Sequence, residues 1–296
     1  MDLSKRKDRI LTNALMIGVT ELALFFLGMV IQRLLAGIVL YFVYQIQNPV
    51  LQVFLEDGFS FSSFIIPIGL FLLYMLITKR QTLKFFVEGG FVKSVKAVLI
   101  GLLIGFLMNG FISLLTDVTG TVHFSFHSFS IYLILLIPPV FIQCAAEEVA
   151  LRGYVYRYMQ ERHDWSAVAF VSGTLFIFHH VGNISRSGFS SIFCLNVFLV
   201  GFILCLLVKI TGNFWIACGF HTAWNFTQEY LFGLPNSGMS SELALFYGTD
   251  AKANFFFDPV YGNEGSLCTT VVFSITLLIL LWLNAKKEAK EKAARG

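Results

Sequence analysis

Two adjacent carboxylates, Glu147 and Glu148, lie inside the stretch Phe141 to Tyr158, FIQCAAEEVALRGYVYRY, whose other residues mostly suit lipid. A charge at bilayer depth costs at least about 2.5 kcal/mol on the most lenient scale, so a neighbouring pair must face protein or water. On a helix, Glu148 and Arg152 are four residues apart on one face with the glutamate leading, the favourable orientation for an ion pair. Glu147 lies about 100° round the helix without an obvious local partner, which leaves it free for chemistry. A buried Glu148–Arg152 clamp with a protonated Glu147 is the purely structural alternative for this segment.

Two further polar clusters interrupt apolar runs: His179 and His180 in LFIFHHVGN, and His221 with Asn225 in GFHTAWNF. His221 and Asn225 are four apart and share a helix face. At 1.5 Å per residue, Glu147, His180, His221 and Asn225 fall at depths of about 12 to 22 Å from the basic ends of their spans, so groups on three helices can converge. A carboxylate and an imidazole holding one water form a general base for hydrolysis, and His and Asn side chains on a neighbouring helix can donate hydrogen bonds to a developing oxyanion. A zinc site of Glu147, His180 and His221 with a fourth position for water is open on spacing alone. The chain has no H-E-x-x-H, G-x-S-x-G, P-loop or Rossmann glycine fingerprint.

The elements that must carry these groups follow from composition. Hydrophobic residues make up 56% of the 296 and charged residues only 13%, and mean hydropathy is +0.75, values that fit a polytopic membrane protein rather than a soluble domain. The expected fold is all-α, one transmembrane helical bundle of about eight spans. Residues 1–129 supply N-terminal spans and an amphipathic segment, 130–231 the core spans with the polar clusters, and 232–296 a loop of roughly 35 residues, the last span and a basic tail.

Residues 11 to 47 predict one span followed by an interfacial stretch from about Leu34; the next polar segment, with Glu56 and Asp57, then lies on the opposite side. Further spans are expected at about 61–77, 97–115, 130–156, 166–181, 191–208, 213–231 and 267–283. Lys79 to Lys96 suits a headgroup layer. GLLIG at 101–105 is a small-xxx-small pattern able to seat a neighbouring helix, Pro138-Pro139 marks a kink or helix start, and His123 and His127 fall in a solvated loop.

The N-terminus, the 79–96 segment, Arg157, Arg162, Lys209 and the tail hold 17 of the 21 Lys and Arg, which places both termini in the cytoplasm. A net charge of +3 with no basic stripe gives no case for a nucleic-acid partner. The five cysteines show no C-x-x-C spacing and read as small buried hydrophobes. The basic start reads as an uncleaved signal anchor interrupted by Glu21. Absence of repeated halves argues against a proton-coupled carrier.

E-E-x-x-x-R at Glu147, Glu148 and Arg152, F-x-x-x-H at Phe176 and His180, and H-x-x-x-N at His221 and Asn225 occur in that order on apolar segments. Together they resemble the CPBP family of CAAX proteases and bacteriocin-processing enzymes, also called the Abi family and similar to type II CAAX prenyl endopeptidase. The resemblance covers roughly residues 130 to 231. It implies an intramembrane endopeptidase in which Glu147 and His180 activate water, His221 and Asn225 stabilise the oxyanion, and Glu148 with Arg152 supports them. The Phe176 spacing selects His180 over His179. A metal-independent glutamate mechanism fits these roles better than a zinc enzyme, so no cofactor is expected, with Zn2+ as the alternative. The implied substrate is a membrane-anchored peptide or protein, prenylated in eukaryotic relatives and tied to bacteriocin self-immunity or peptide maturation in many prokaryotic ones, and a prokaryotic plasma membrane is the expected location. Because the carboxylates lie nearer the cytoplasmic end of their span, entry from the inner leaflet is expected. The competing class is a non-proteolytic scaffold or immunity protein that regulates a partner.

Overall fold

The computed structural model describes residues 3–78, 86, 89–160, 163–249 and 252–294, with side chains from Ala14 onward. Its helices are α1 (Leu3–Val43), α2 (Pro49–Ser62), α3 (Ile65–Ile77), α4 (Gly90–Val118), α5 (Ile131–Leu135) and α6 (Ile137–Glu148). A π-helical segment, Val149–Val155, continues α6 into α7 (Tyr156–Met159). Then come α8 (Trp165–His179), α9 (Val181–Ser187), α10 (Ser191–Thr211) and α11 (Trp215–Phe226), which a second π-helical segment, Thr227–Leu231, extends, and last α12 (Leu267–Ala293).

Six stretches are long and apolar enough to cross a membrane: 14–43, 49–77, 90–118, 131–159, 191–211 and 267–293. A seventh arises if α8 and α9, bent by 45°, count as one span. The remaining segment of the expected eight, 213–231, holds the 12-residue α11, every residue of which from Ile216 to Trp224 is buried. It is an interior helix, shorter than a bilayer is thick.

The chain departs from expectation elsewhere too. No break falls at Leu34, since α1 is continuous to Val43. The second span starts at Pro49 rather than near Phe61, because Asn48 caps α2 by accepting from the Leu51 N–H at 3.0 Å and Pro49 suits the first helical turn. Glu56 and Asp57 therefore sit on a helix; Tyr44 donates to Glu56 at 2.8 Å, and Tyr230 and Ser241 donate to Asp57 at 3.0 and 2.8 Å. The all-α expectation misses one small antiparallel sheet, β1 (His123–Phe126) with β2 (Phe246–Thr249), so His123 belongs to a strand. Half of the amphipathic stretch predicted at 79–96 lies outside the described residues, and its end from Gly90 is already α4.

The last helix runs past the end of α10, where Lys209 pairs with Glu288 and Lys287 donates to the Ile210 carbonyl at 2.8 Å. The 232–266 connection closes the other end. Asn263 anchors it to α4 by donating to Asn109 Oδ1 at 3.0 Å and Ser113 Oγ at 2.8 Å, while Asn109 donates to Gln228 at 3.0 Å.

Outward faces keep Leu27, Ile38, Leu103, Leu107, Ile275 and Leu278 exposed, as lipid-facing helices should. Inside, α4 crosses α11 at backbone contact. A Cβ at Gly101 would strike the Ile216 carbonyl, one at Gly105 the Phe220 carbonyl, and one at Gly219 the Val98 carbonyl. The GLLIG pattern thus seats the helix that carries His221 and Asn225.

Gly105→Leu should force these backbones apart at a cost of about 1–3 kcal/mol, read as a lower melting temperature in detergent. Gly110→Ala, on the same helix with nothing within 4 Å of the added carbon, should be neutral or slightly stabilising. Equal melting of the two variants would show that the crossing is not held by glycine contact.

Candidate active site

The paired carboxylates reach the interior because α6 starts sharply at Pro138-Pro139 in its first turn and ends at Glu148, with Cys144 to Glu148 all buried. The chain then widens into the π-helical segment. Such turns keep backbone hydrogen bonds while shifting the register of side chains, and they recur at functional sites.

Glu148 and Arg152 form the expected ion pair, Nη1 to Oε1 at 3.0 Å, with neither side chain exposed. The same Oε1 lies 3.0 Å from Nδ1 of His221, and the second Arg152 amino group donates to the Gly201 carbonyl at 2.8 Å. The guanidinium stands 5.1 Å from the centre of the Phe176 ring, a cation–π distance. One carboxylate thus links α6, α11 and, through Arg152, α8 and α10. His221 belongs to this charged cluster as well as to the cavity described below, a connection the sequence spacing did not give.

Glu147 has a partner after all: Gln143, one turn earlier, donates to its Oε1 at 2.6 Å. Its Oε2 is buried with no partner among the described residues. Asn225 Nδ2 makes only long contacts, 3.5 Å to Gln143 Oε1 and 3.5 Å to Cys144 Sγ, so it is easily released to another acceptor.

The two histidines divide. His179 places Nε2 2.6 Å from Glu21 of α1 and stacks on Phe25, ring centres 3.6 Å apart. His180 stands where α8 breaks: its backbone N–H bonds to Ile177, and ring Nδ1 takes the Phe176 carbonyl at 2.8 Å. A carbonyl only accepts, so Nδ1 carries the proton and Nε2 is left with a lone pair. The ring is boxed by Phe176 and Phe193, with centres 5.0 and 5.7 Å away.

Glu147, His180, His221 and Asn225 line one cavity of about 380 Å³, walled also by α1, α2 and the 236–239 turn. A smaller pocket of about 20 Å³ adjoins His180, His221 and Asn225, room for about one water molecule. Exposed Arg33, Arg186 and Met239 mark the mouth of the larger cavity. Met239 belongs to the 232–266 connection, so this side of the cavity lies at the end of the bundle that the connection closes.

Among the described residues no three His, Cys, Asp or Glu side chains are grouped as a metal would need. His221 meets Glu148 through Nδ1 and His179 meets Glu21, while Glu147, His180 and His221 line the same cavity.

Residues 128–227 match the family model described as type II CAAX prenyl endopeptidase Rce1-like. That stretch takes in Glu147, Glu148, Arg152, Phe176, His179, His180, His221 and Asn225, and the resemblance read from the three motifs is borne out over it. No curated protein and no solved structure matches the chain.

Arg152→Met should leave the buried Glu148 carboxylate with His221 as its remaining partner, a loss of about 3–5 kcal/mol, visible as a collapse of the melting temperature. Glu21→Gln keeps a hydrogen-bonding group beside His179 and should cost less, about 1–2 kcal/mol. A melt of Arg152→Met like that of the parent would remove the cluster from its structural role.

Proposed function

We propose that this chain, an integral membrane protein whose residues 128–227 match the type II CAAX prenyl endopeptidases, is an intramembrane endopeptidase that uses Glu147 to activate water against a peptide bond of a membrane-anchored substrate, prenylated CAAX-type chains included. One observation carries this reading: the unpaired, buried Oε2 of Glu147 belongs to a side chain that lines a single cavity with His180, His221 and Asn225.

The chemistry follows from which atoms are already committed. Gln143 fixes Oε1 of Glu147, so Oε2 is the atom that takes a proton from water. His180, its Nδ1 tied to Phe176, offers the Nε2 lone pair to the second hydrogen of that water and orients it. Hydroxide adds to the carbonyl carbon, and the oxyanion receives hydrogen bonds from Asn225 Nδ2 and from His221 Nε2. With Nδ1 donating to Glu148, donation from Nε2 requires the doubly protonated ring, whose charge the Glu148 carboxylate balances. Protonated Glu147 then returns its proton to the leaving nitrogen as the C–N bond breaks. Glu148 and Arg152 position His221 without touching the substrate. No step passes through a metal.

Purified protein acting on membrane-tethered peptides tests this. Glu147→Gln should abolish turnover, and His180→Ala should reduce it about 10²–10⁴-fold, with chelator without effect on the parent. Unchanged behaviour of Glu147→Gln would favour a scaffold, and chelator-induced loss restored by zinc would move the site to metal chemistry.

In this reading both termini face the cytoplasm, which the distribution of basic residues supports, and the membrane is a prokaryotic plasma membrane; the cavity mouth, at the end closed by the 232–266 connection, then meets substrate from the outer side. In intact cells a membrane-impermeant maleimide should label Met239→Cys and should label Lys292→Cys only after permeabilisation. The reverse pattern would invert the topology.

A further inference from the structure

Three arginines lie near the cavity, and they are not alike. Arg152 is wholly buried and committed to Glu148, the Gly201 carbonyl and Phe176. Arg33 and Arg186 are exposed at the cavity mouth and make no hydrogen bond or ion pair with any described residue. Arg33 sits within Ala14–Val43, a stretch long and apolar enough to cross a membrane. A guanidinium without a partner is expensive there and marks a functional position by default.

The orientation of Arg33 is fixed by its helix. Met29, Gln32, Ala36, Gly37 and Leu40 line the same cavity, so this face of α1 turns inward rather than to lipid. Ala36 and Gly37 leave space beside the guanidinium. A Cβ built on Gly182 would stand 3.9 Å from Nη2 of Arg33, so Arg33 reaches across to α9, which also carries Arg186. Neither arginine makes an ion pair with the carboxylates that line the cavity, Glu147 and Glu229, whose described contacts are to the amides of Gln143 and, at 3.2 Å, Asn236, and Asn183 is committed to the Ser237 carbonyl at 2.8 Å.

We propose that Arg33 and Arg186 form an anion-binding pair that holds a carboxylate of the peptide substrate while a nearby peptide bond lies at Glu147. Guanidinium groups bind carboxylates through paired, charge-assisted hydrogen bonds, and such contacts fix orientation as well as adding affinity. A peptide is favoured over a lipid headgroup because both arginines line the cavity that contains Glu147. The carboxylate is either the C-terminus of the peptide or an acidic side chain. The assignment rests on the endopeptidase reading, and it adds a specificity determinant at the mouth of that site.

Binding, which needs no turnover, tests it. The full chain carrying Glu147→Gln, in phosphatidylcholine nanodiscs, is titrated with one lipid-tethered heptapeptide in three forms: a free C-terminal acid without acidic side chains, its C-terminal amide, and the amide with one Glu. At least one carboxylate form should bind about tenfold tighter than the plain amide. Adding Arg33→Gln and Arg186→Gln should erase that preference and leave the affinity for the plain amide unchanged, which also serves as the check on folding. Equal binding of all three forms would overturn the anion site and leave the endopeptidase reading standing, whereas binding of none would overturn both. If phosphatidylglycerol stabilises the protein through these arginines and no form of the peptide is preferred, the pair serves lipid and the proposal fails.

Discussion

The site depends on a single carboxylate oxygen. Oε1 of Glu148 lies 3.0 Å from both Arg152 and His221, in a place where neither Glu148 nor Arg152 is exposed at all. Burying charge is costly, and the return comes only if hydrogen bonds satisfy both partners. Arg152 goes part of the way by reaching the Gly201 carbonyl, while its Nε and Oε2 of Glu148 have no hydrogen-bond partner among the described residues. It can do so because Gly201 packs on Gly173, where an added Cβ would come within 2.9 Å of the neighbouring Cα. The charge cluster therefore requires close helix contact, and close contact requires glycine. The same condition holds α11 at Gly101, Gly105 and Gly219, so the short helix bearing His221 and Asn225 is fixed from two sides.

Two doublets in the sequence, Glu147-Glu148 and His179-His180, each separate into a holding member and a cavity member. Consecutive helical side chains point about 100° apart, so one can anchor while the other faces open space. Glu148 anchors to Arg152 and His221, leaving Glu147 at the cavity wall. His179 anchors to Glu21 and Phe25 of α1, leaving His180 at the break between α8 and α9. Each anchor holds its helix in rotation, which sets the direction of its neighbour.

Local patterns were legible in the sequence. The Glu148–Arg152 pair, the proline start of α6 and the small-xxx-small seat on α4 are all set by residues within one or two turns of each other. The side chains Glu147, His180, His221 and Asn225 were identifiable because polar groups at lipid depth have few alternatives. Long-range partners were hidden. Glu21 meets His179 across 158 residues and looked like an interruption of an apolar run. β1 and β2 are more than a hundred residues apart and too short to show alternation. Gln143 was missed although it stands one turn before Glu147, where an i, i+4 contact is expected. At α11 a span count is hard to read from sequence, because a helix buried on all sides and one that crosses lipid share the same apolar composition.

A polar cavity at this depth also needs a route for water that does not open the bundle to lipid. Polar residues supply it along one seam: Gln32 of α1 bonds Ser63 at 2.8 Å, and Ser60, Gln143, Asn183 and Asn225 continue the lining toward Glu147. The outer faces of α1 and α4 stay apolar, so the wet surface is confined to the interior. Backbone polarity is handled in the same spirit. Where α6 and α11 must be displaced beyond Glu148 and Asn225, each widens into a π-helical segment instead of breaking, which keeps N–H and C=O groups paired as a bilayer demands. The 45° bend at His180 is closed by its own ring on the Phe176 carbonyl, so the residue that interrupts the helix also satisfies the group the interruption frees.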